Sequence, residues 1–123
     1  MKGGVSAKMK IYTSYFDNLG NIDKEIVPIS ITGNNPMWFN GNIQKELIPE
    51  LSYVKNGTLK RDKKTAYNKQ LEIIKVTNFV KSLNKISEGR DVVLLSNELP
   101  NKFSHRKLVS EWLIKNNIKT KEL

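Results

Sequence analysis

The run Asp91-Val92-Val93-Leu94-Leu95-Ser96 limits the fold more than any other stretch of the chain. Four apolar residues in succession leave no side for water, so a strand here must be covered on both faces. Such strands occupy the centre of parallel sheets, which need long crossovers between successive strands. The chain supplies one at once. After a loop over residues 97–103, Leu108, Val109, Trp112 and Leu113 recur at helical spacing and predict a helix from Ser104 or His105 to about Asn117.

The rest of the chain repeats this alternation. Residues 11–16 mix aromatic and β-branched side chains and predict a strand. Asp17, Asn18, Gly20 and Asn21 bring turn chemistry in which a short helix can begin. Residues 25–32 predict a second strand. Pro28 cannot donate to a ladder, so it belongs at that strand's start, at an edge or at a bulge. Residues 33–41 read as a glycine-bounded loop around Trp38 and Phe39, and residues 42–54 as a short helix closed by Pro49 with a short extended piece. Residues 55–69 read as a mobile basic loop leading into a helix predicted over about Thr65 to Ser87. There Val76, Phe79, Val80, Leu83 and Ile86 share one face, and Gly89 is the expected C′ stop. Residues 118–123 fit a short edge strand, and residues 1–8, with paired glycines, a flexible N-terminal extension. The expectation is one compact α/β domain over residues 9–123, a mostly parallel sheet flanked by helices in a Rossmann-like layer architecture.

Composition removes several classes of chemistry. There is no cysteine and only one histidine, so thiolate catalysis, disulfides and an all-protein zinc site are not expected. No P-loop and no G-x-G-x-x-G is present, and no cofactor is expected. No apolar run spans a bilayer and no signal peptide opens the chain, which points to a cytoplasmic protein without a membrane partner. Lys and Arg number 21 against 12 Asp and Glu, a net charge of +9. That excess suits nucleic acid, a nucleotide-like anion or an acidic protein surface, and equally a set of solvated lysine faces.

Candidate chemistry gathers at the strand–loop–helix of residues 92–113. Ser96 and Glu98 follow the strand, and Ser104, His105 and Arg106 open the helix. A helix's first turn has free N–H groups and partial positive charge, so it welcomes anions. Arg106 adds a planar fork for phosphate or carboxylate. His105 can donate a hydrogen bond, move a proton or stack on a base, and Glu98 can orient it. The plainer alternative has Ser104 capping the helix, Glu98 pairing with Arg106, and His105 on the surface.

The segment from Val92 to Leu113 also resembles the signature of the family called domain of unknown function 488. That signature is a buried strand ending in Cys-x-Glu, a loop, and Cys-His-Arg opening a helix. "MKIYTSYF" from Met9 and "IVPISIT…PMWFNG" resemble the start and second strand of its short bacterial and phage-borne members, so the resemblance covers Met9 to the end. It implies a compact α/β fold, functional roles for Glu98, His105 and Arg106, and a link to nucleic acid or nucleotide metabolism. Ser96 and Ser104 stand where the family has cysteines, and a serine hydroxyl is not ionised near neutral pH.

These readings lead to two functional expectations. In the first, Arg106, Ser104 and Ser96 hold a phosphate of a nucleic acid or nucleotide-type ligand. His105 and Glu98 act as the catalytic pair if there is chemistry, and Tyr12, Ser14 and Trp38 line the pocket. Lys60, Arg61, Lys63 and Lys64 attract the backbone. In the second, the chain is a non-catalytic phage or mobile-element protein that binds and inhibits an acidic host protein. For Tyr12, Ser14 and Trp38, ordinary packing is the simpler role.

Overall fold

The computed structural model describes residues 8–123. Of the expected flexible extension, residues 1–7 lie outside that range. In chain order the elements are β1 (Ile11–Tyr15), β2 (Val27–Ser30), β3 (Asn42–Ile43), β4 (Val54–Lys55), β5 (Thr58–Leu59), α1 (Lys64–Glu72), α2 (Val76–Ser87), β6 (Val92–Ser96), α3 (His105–Lys115) and β7 (Thr120–Glu122). The main sheet has the order β3-β2-β6-β1-β7 with every pairing parallel. β6 is thus the central strand, and all five of its residues are buried, as its unbroken apolar run requires.

Alternation along the strands divides the core. Ile11, Ile29, Val92 and Leu94 face one way and pack with α1, α2 and α3 through Tyr67, Leu71, Phe79, Leu83, Leu108, Val109, Trp112 and Leu113. Val93 and Leu95 face the other way, onto Phe16, Ile22, Leu19, Ile26 and Phe39. The α-helices therefore share one face. The opposite face is covered by the 3-10 helix Phe16–Asn21 and the loops around it.

Pro28 sits inside β2, yet no ladder bond is lost. The Val27 N–H bonds toward β6, to the Asp91 carbonyl. Alternation turns the Pro28 nitrogen toward β3, and β3 pairs only from Ile29 onward.

Two helical expectations need correction. The helix expected over Thr65–Ser87 is two helices, with the Lys75 backbone extended between them. Ile73, Ile74, Val76 and Thr77 are β-branched and disfavour helix, and the break buries Ile74 in part while leaving Ile73 outside. The C′ residue of α2 is Glu88, at φ 55, rather than Gly89. The Gly89 N–H closes the six-residue ring onto Asn84 O at 3.0 Å, which places Gly89 at C″.

The expected mobile loop from residue 55 instead opens with a hairpin. β4 and β5 pair antiparallel across Asn56 and Gly57, both with positive φ, as a type I′ turn demands. In residues 42–54 the expected short helix is replaced by two 3-10 turns, Lys45–Leu47 and Leu51–Tyr53. The final segment does form an edge strand, β7, against β1.

Candidate functional site

The last residue of β6 is Ser96, and the loop behind it carries Glu98 back over the start of α3. Arg106 is the hub of this junction. Its Nη1 donates to Ser96 Oγ at 2.9 Å and to the Glu98 carbonyl at 2.6 Å. Its Nη2 and Nε donate to the Glu122 carboxylate of β7 at 2.9 and 3.1 Å. A guanidinium has five N–H donors in one plane, so a single side chain ties together the end of β6, its loop and the sheet edge. The Arg106 side chain is 2% exposed and Glu122 is 42% exposed. Tyr15 adds a ring 5.8 Å from the guanidinium.

His105 is bound on both sides. Its Nε2 donates to the Ile31 carbonyl at 2.8 Å, and its Nδ1 faces Glu98 Oε2 at 3.3 Å. Tyr67 meets the imidazole edge-on, and its hydroxyl donates to the Leu47 carbonyl. Burial pushes the Glu98 carboxyl up, but hydrogen bonding and charge from His105, together with the Ser96 hydroxyl, bring it below its ordinary value. Burial, and then the Glu98 charge, hold the Tyr67 hydroxyl well above its ordinary value. Glu98 Oε1 is buried without a hydrogen-bond partner, 3.7 Å from Arg106 Nη1.

A cavity of about 500 Å³ opens beside this junction. It lies between the first half of α3, β7 and residues 100–103. Four cations line it, Arg61, Lys102, Arg106 and Lys107, against one carboxylate, Glu122. Thr13, Ser104 and Ser110 bring hydroxyls to it. Ser104 is 4% exposed and stands at the N-cap position with extended backbone, yet its hydroxyl bonds to no first-turn N–H. Arg61 lies over the Phe103 ring at 5.0 Å. Neither Arg61, Lys102 nor Lys107 has a carboxylate within salt-bridge reach among the described residues.

Ser96, Glu98, Ser104, His105 and Arg106 are therefore brought together, while only Ser104 and Arg106 of this set reach the cavity. His105 and Glu98, expected to contact a substrate, are 1% and 4% exposed and directed at each other and at Ile31. The plainer alternative holds in one part, the Glu98–Arg106 pair at 3.7 Å, although Arg106 lies closer to Glu122. His105 is not on the surface, and Ser104 caps no first-turn N–H.

Tyr12 and Ser14 lie away from the cavity. Alternation turns them to the opposite face of the sheet, where Ser14 donates to the Leu123 carbonyl, and Thr13 reaches the cavity instead. Trp38 is on that opposite face too. It is 58% exposed, stands edge-on to Phe16 and Phe39, and lines a separate pocket. Of Lys60, Arg61, Lys63 and Lys64, only Arg61 reaches the cavity.

Lys102, Phe103, Lys107 and Ser110 were missing from the expected set. Ser104, Lys107 and Ser110 recur every third residue, a polar stripe beside the apolar one of α3 that was visible in the sequence. Glu122 had no sequence signal, because its role comes from the pairing of β7 with β1. Among the described residues no group of three or more His, Asp or Glu converges to hold a metal, and no helix is long and apolar enough to cross a membrane. In comparison with known proteins, the chain matches no family model, no curated protein and no solved structure.

Proposed function

We propose that this protein binds a phosphate-bearing ligand, nucleic acid or nucleotide, in the cavity beside α3. One observation carries the reading. Among the described residues, Arg61, Lys102 and Lys107 converge there without carboxylate partners, at the N-terminus of an 11-residue helix whose N-cap hydroxyl is unused. Cations, free N–H groups and a hydroxyl together form the donor set that phosphate oxygens need. Arg106 supplies the floor of the site, although most of its charge is answered by Glu122. His105 and Glu98 act as positioning residues that fix the entry of α3 against β2. The resemblance to domain of unknown function 488, with serines at its two cysteine positions, supports the same ligand class.

Fluorescence anisotropy with short single- and double-stranded DNA and RNA, at low and near-physiological salt, tests this. Wild type should bind with a clear salt slope, and Arg61→Ala/Lys102→Ala/Lys107→Ala should flatten that slope and weaken binding. Binding indifferent to the triple variant, or no binding of any nucleic acid and none of adenosine monophosphate, refutes the reading and leaves an acidic host protein as the partner to seek.

A further inference from the structure

We infer that the cavity is built for an unpaired nucleotide unit, with its base against the Arg61–Phe103 pair and its phosphate at the first turn of α3. The inference rests on the phosphate reading above. It goes further by naming what the phosphate is attached to.

The cavity is larger than its cations require. About 500 Å³ lies within the range that organic ligands occupy, roughly 300–1,000 Å³, whereas a lone phosphate would leave most of it unfilled. The lining also differs between its two walls. The α3 wall is polar, with Ser104, Lys107 and Ser110, joined by Thr13 from β1. The loop wall is partly apolar, with Pro100, Asn101 and Phe103, and Arg61 set over the Phe103 ring.

Arg61 is exposed, yet it is stationed over an aromatic ring, and among the described residues no carboxylate holds it. Aromatic rings and guanidinium planes are the two side-chain surfaces on which unpaired bases stack, and stacking of this kind tolerates any base. Asn101 stands on the same wall with an amide that both donates and accepts, as the edge of a base requires. Phe103 and Ser104 are chain neighbours, so the stacking wall and the phosphate end meet at one corner of the cavity. Bases inside a duplex are stacked and paired and cannot present a face to such a wall. The unit is therefore free nucleotide or single strand.

Isothermal titration with three probes separates the two levels of the inference. The probes are adenosine monophosphate, ribose 5-phosphate and inorganic phosphate. Wild type should bind adenosine monophosphate at least about tenfold tighter than ribose 5-phosphate. Phe103→Leu, which keeps an apolar group on the core side, should erase most of that difference and leave ribose 5-phosphate unchanged. Arg61→Ala, at an exposed position, should weaken both probes and adenosine monophosphate more. A single-stranded oligothymidylate that binds above a hairpin duplex and loses affinity in Phe103→Leu identifies the strand as the source, and adenosine monophosphate alone identifies the free nucleotide. Equal affinity for all three small probes overturns the base inference and leaves the phosphate reading standing. No binding of any probe, with no binding of the oligonucleotides, overturns both.

Discussion

Replacing Arg106 by methionine should show whether its guanidinium serves the fold or waits for a ligand. Methionine keeps much of the length and removes every donor. Ser96 Oγ and the Glu98 carbonyl would each lose a buried donor, now at 2.9 and 2.6 Å. An orphaned buried polar group costs roughly 1–3 kcal/mol. Glu98, whose side chain is 2% exposed, would also lose the cation 3.7 Å away. The pair with the half-exposed Glu122 adds little, about 0–1 kcal/mol. Together these give a loss of about 3–5 kcal/mol, the range seen when one partner of a buried pair is deleted. Urea slopes for small domains are about 1–3 kcal/mol/M, so the midpoint should fall by roughly 2 M with an unchanged slope. Arg106→Lys should lose about half as much, because an ammonium cannot serve Ser96, Glu98 and Glu122 in one plane. A midpoint shift below about 0.5 M for Arg106→Met would mean that the network contributes little and that the arginine is kept for a ligand.

Three further outcomes follow from the same geometry. The folded Glu98 carboxyl lies below its ordinary value, so the unfolded chain takes up a proton there first as pH falls. Its contribution is complete above the unfolded value, about 4.3, and is lost as pH drops through the lower folded value; urea midpoints from pH 7 to 3 should show an acid slope that Glu98→Gln reduces. Ser104→Ala should lower the urea midpoint less than the usual N-cap loss of about 1 kcal/mol, because the hydroxyl caps no N–H, yet it should weaken phosphate binding in the titration above. Gly57→Ala places a Cβ against Asn34 Nδ2 at φ +80 and should destabilise by about 1–3 kcal/mol in thermal or urea unfolding, with nucleotide affinity unchanged.

The central strand was legible because its pattern has one physical solution. An apolar run such as Val92–Leu95 can only be buried on both sides, and the α3 stripe is a helix's apolar face. The Asn56-Gly57 turn is equally legible, an Asn-Gly pair between two short extended segments, although the lysines around it suggest only a charged loop. The break between α1 and α2 was harder. Periodicity across residues 76–86 is real within α2, and nothing in it reports that the preceding turn bends away. The sequence of β1 does not set which of its residues meets Glu122; in the fold it is Thr13 rather than Ser14. That choice depends on the pairing of β1 with β7, and the sequence does not display pairing.

The candidate site was half legible for a related reason. The His-Arg pair is expected to meet a ligand because a helix's first turn welcomes anions and Arg106 adds a planar fork for them. In the structure both side chains are answered internally, His105 by Glu98 and Arg106 by Glu122. Helical geometry then divides the work of α3. His105, Arg106, Leu108 and Val109 turn inward and fasten the helix to the sheet, whereas Ser104, Lys107 and Ser110 recur every third residue along the cavity. Apart from Arg106, which also lines the cavity, the two sets lie on different sides of α3, so stability and binding should separate by position. Substitutions at 105 and 106 should cost folding first, and substitutions at 104 and 107 should cost affinity with the fold intact.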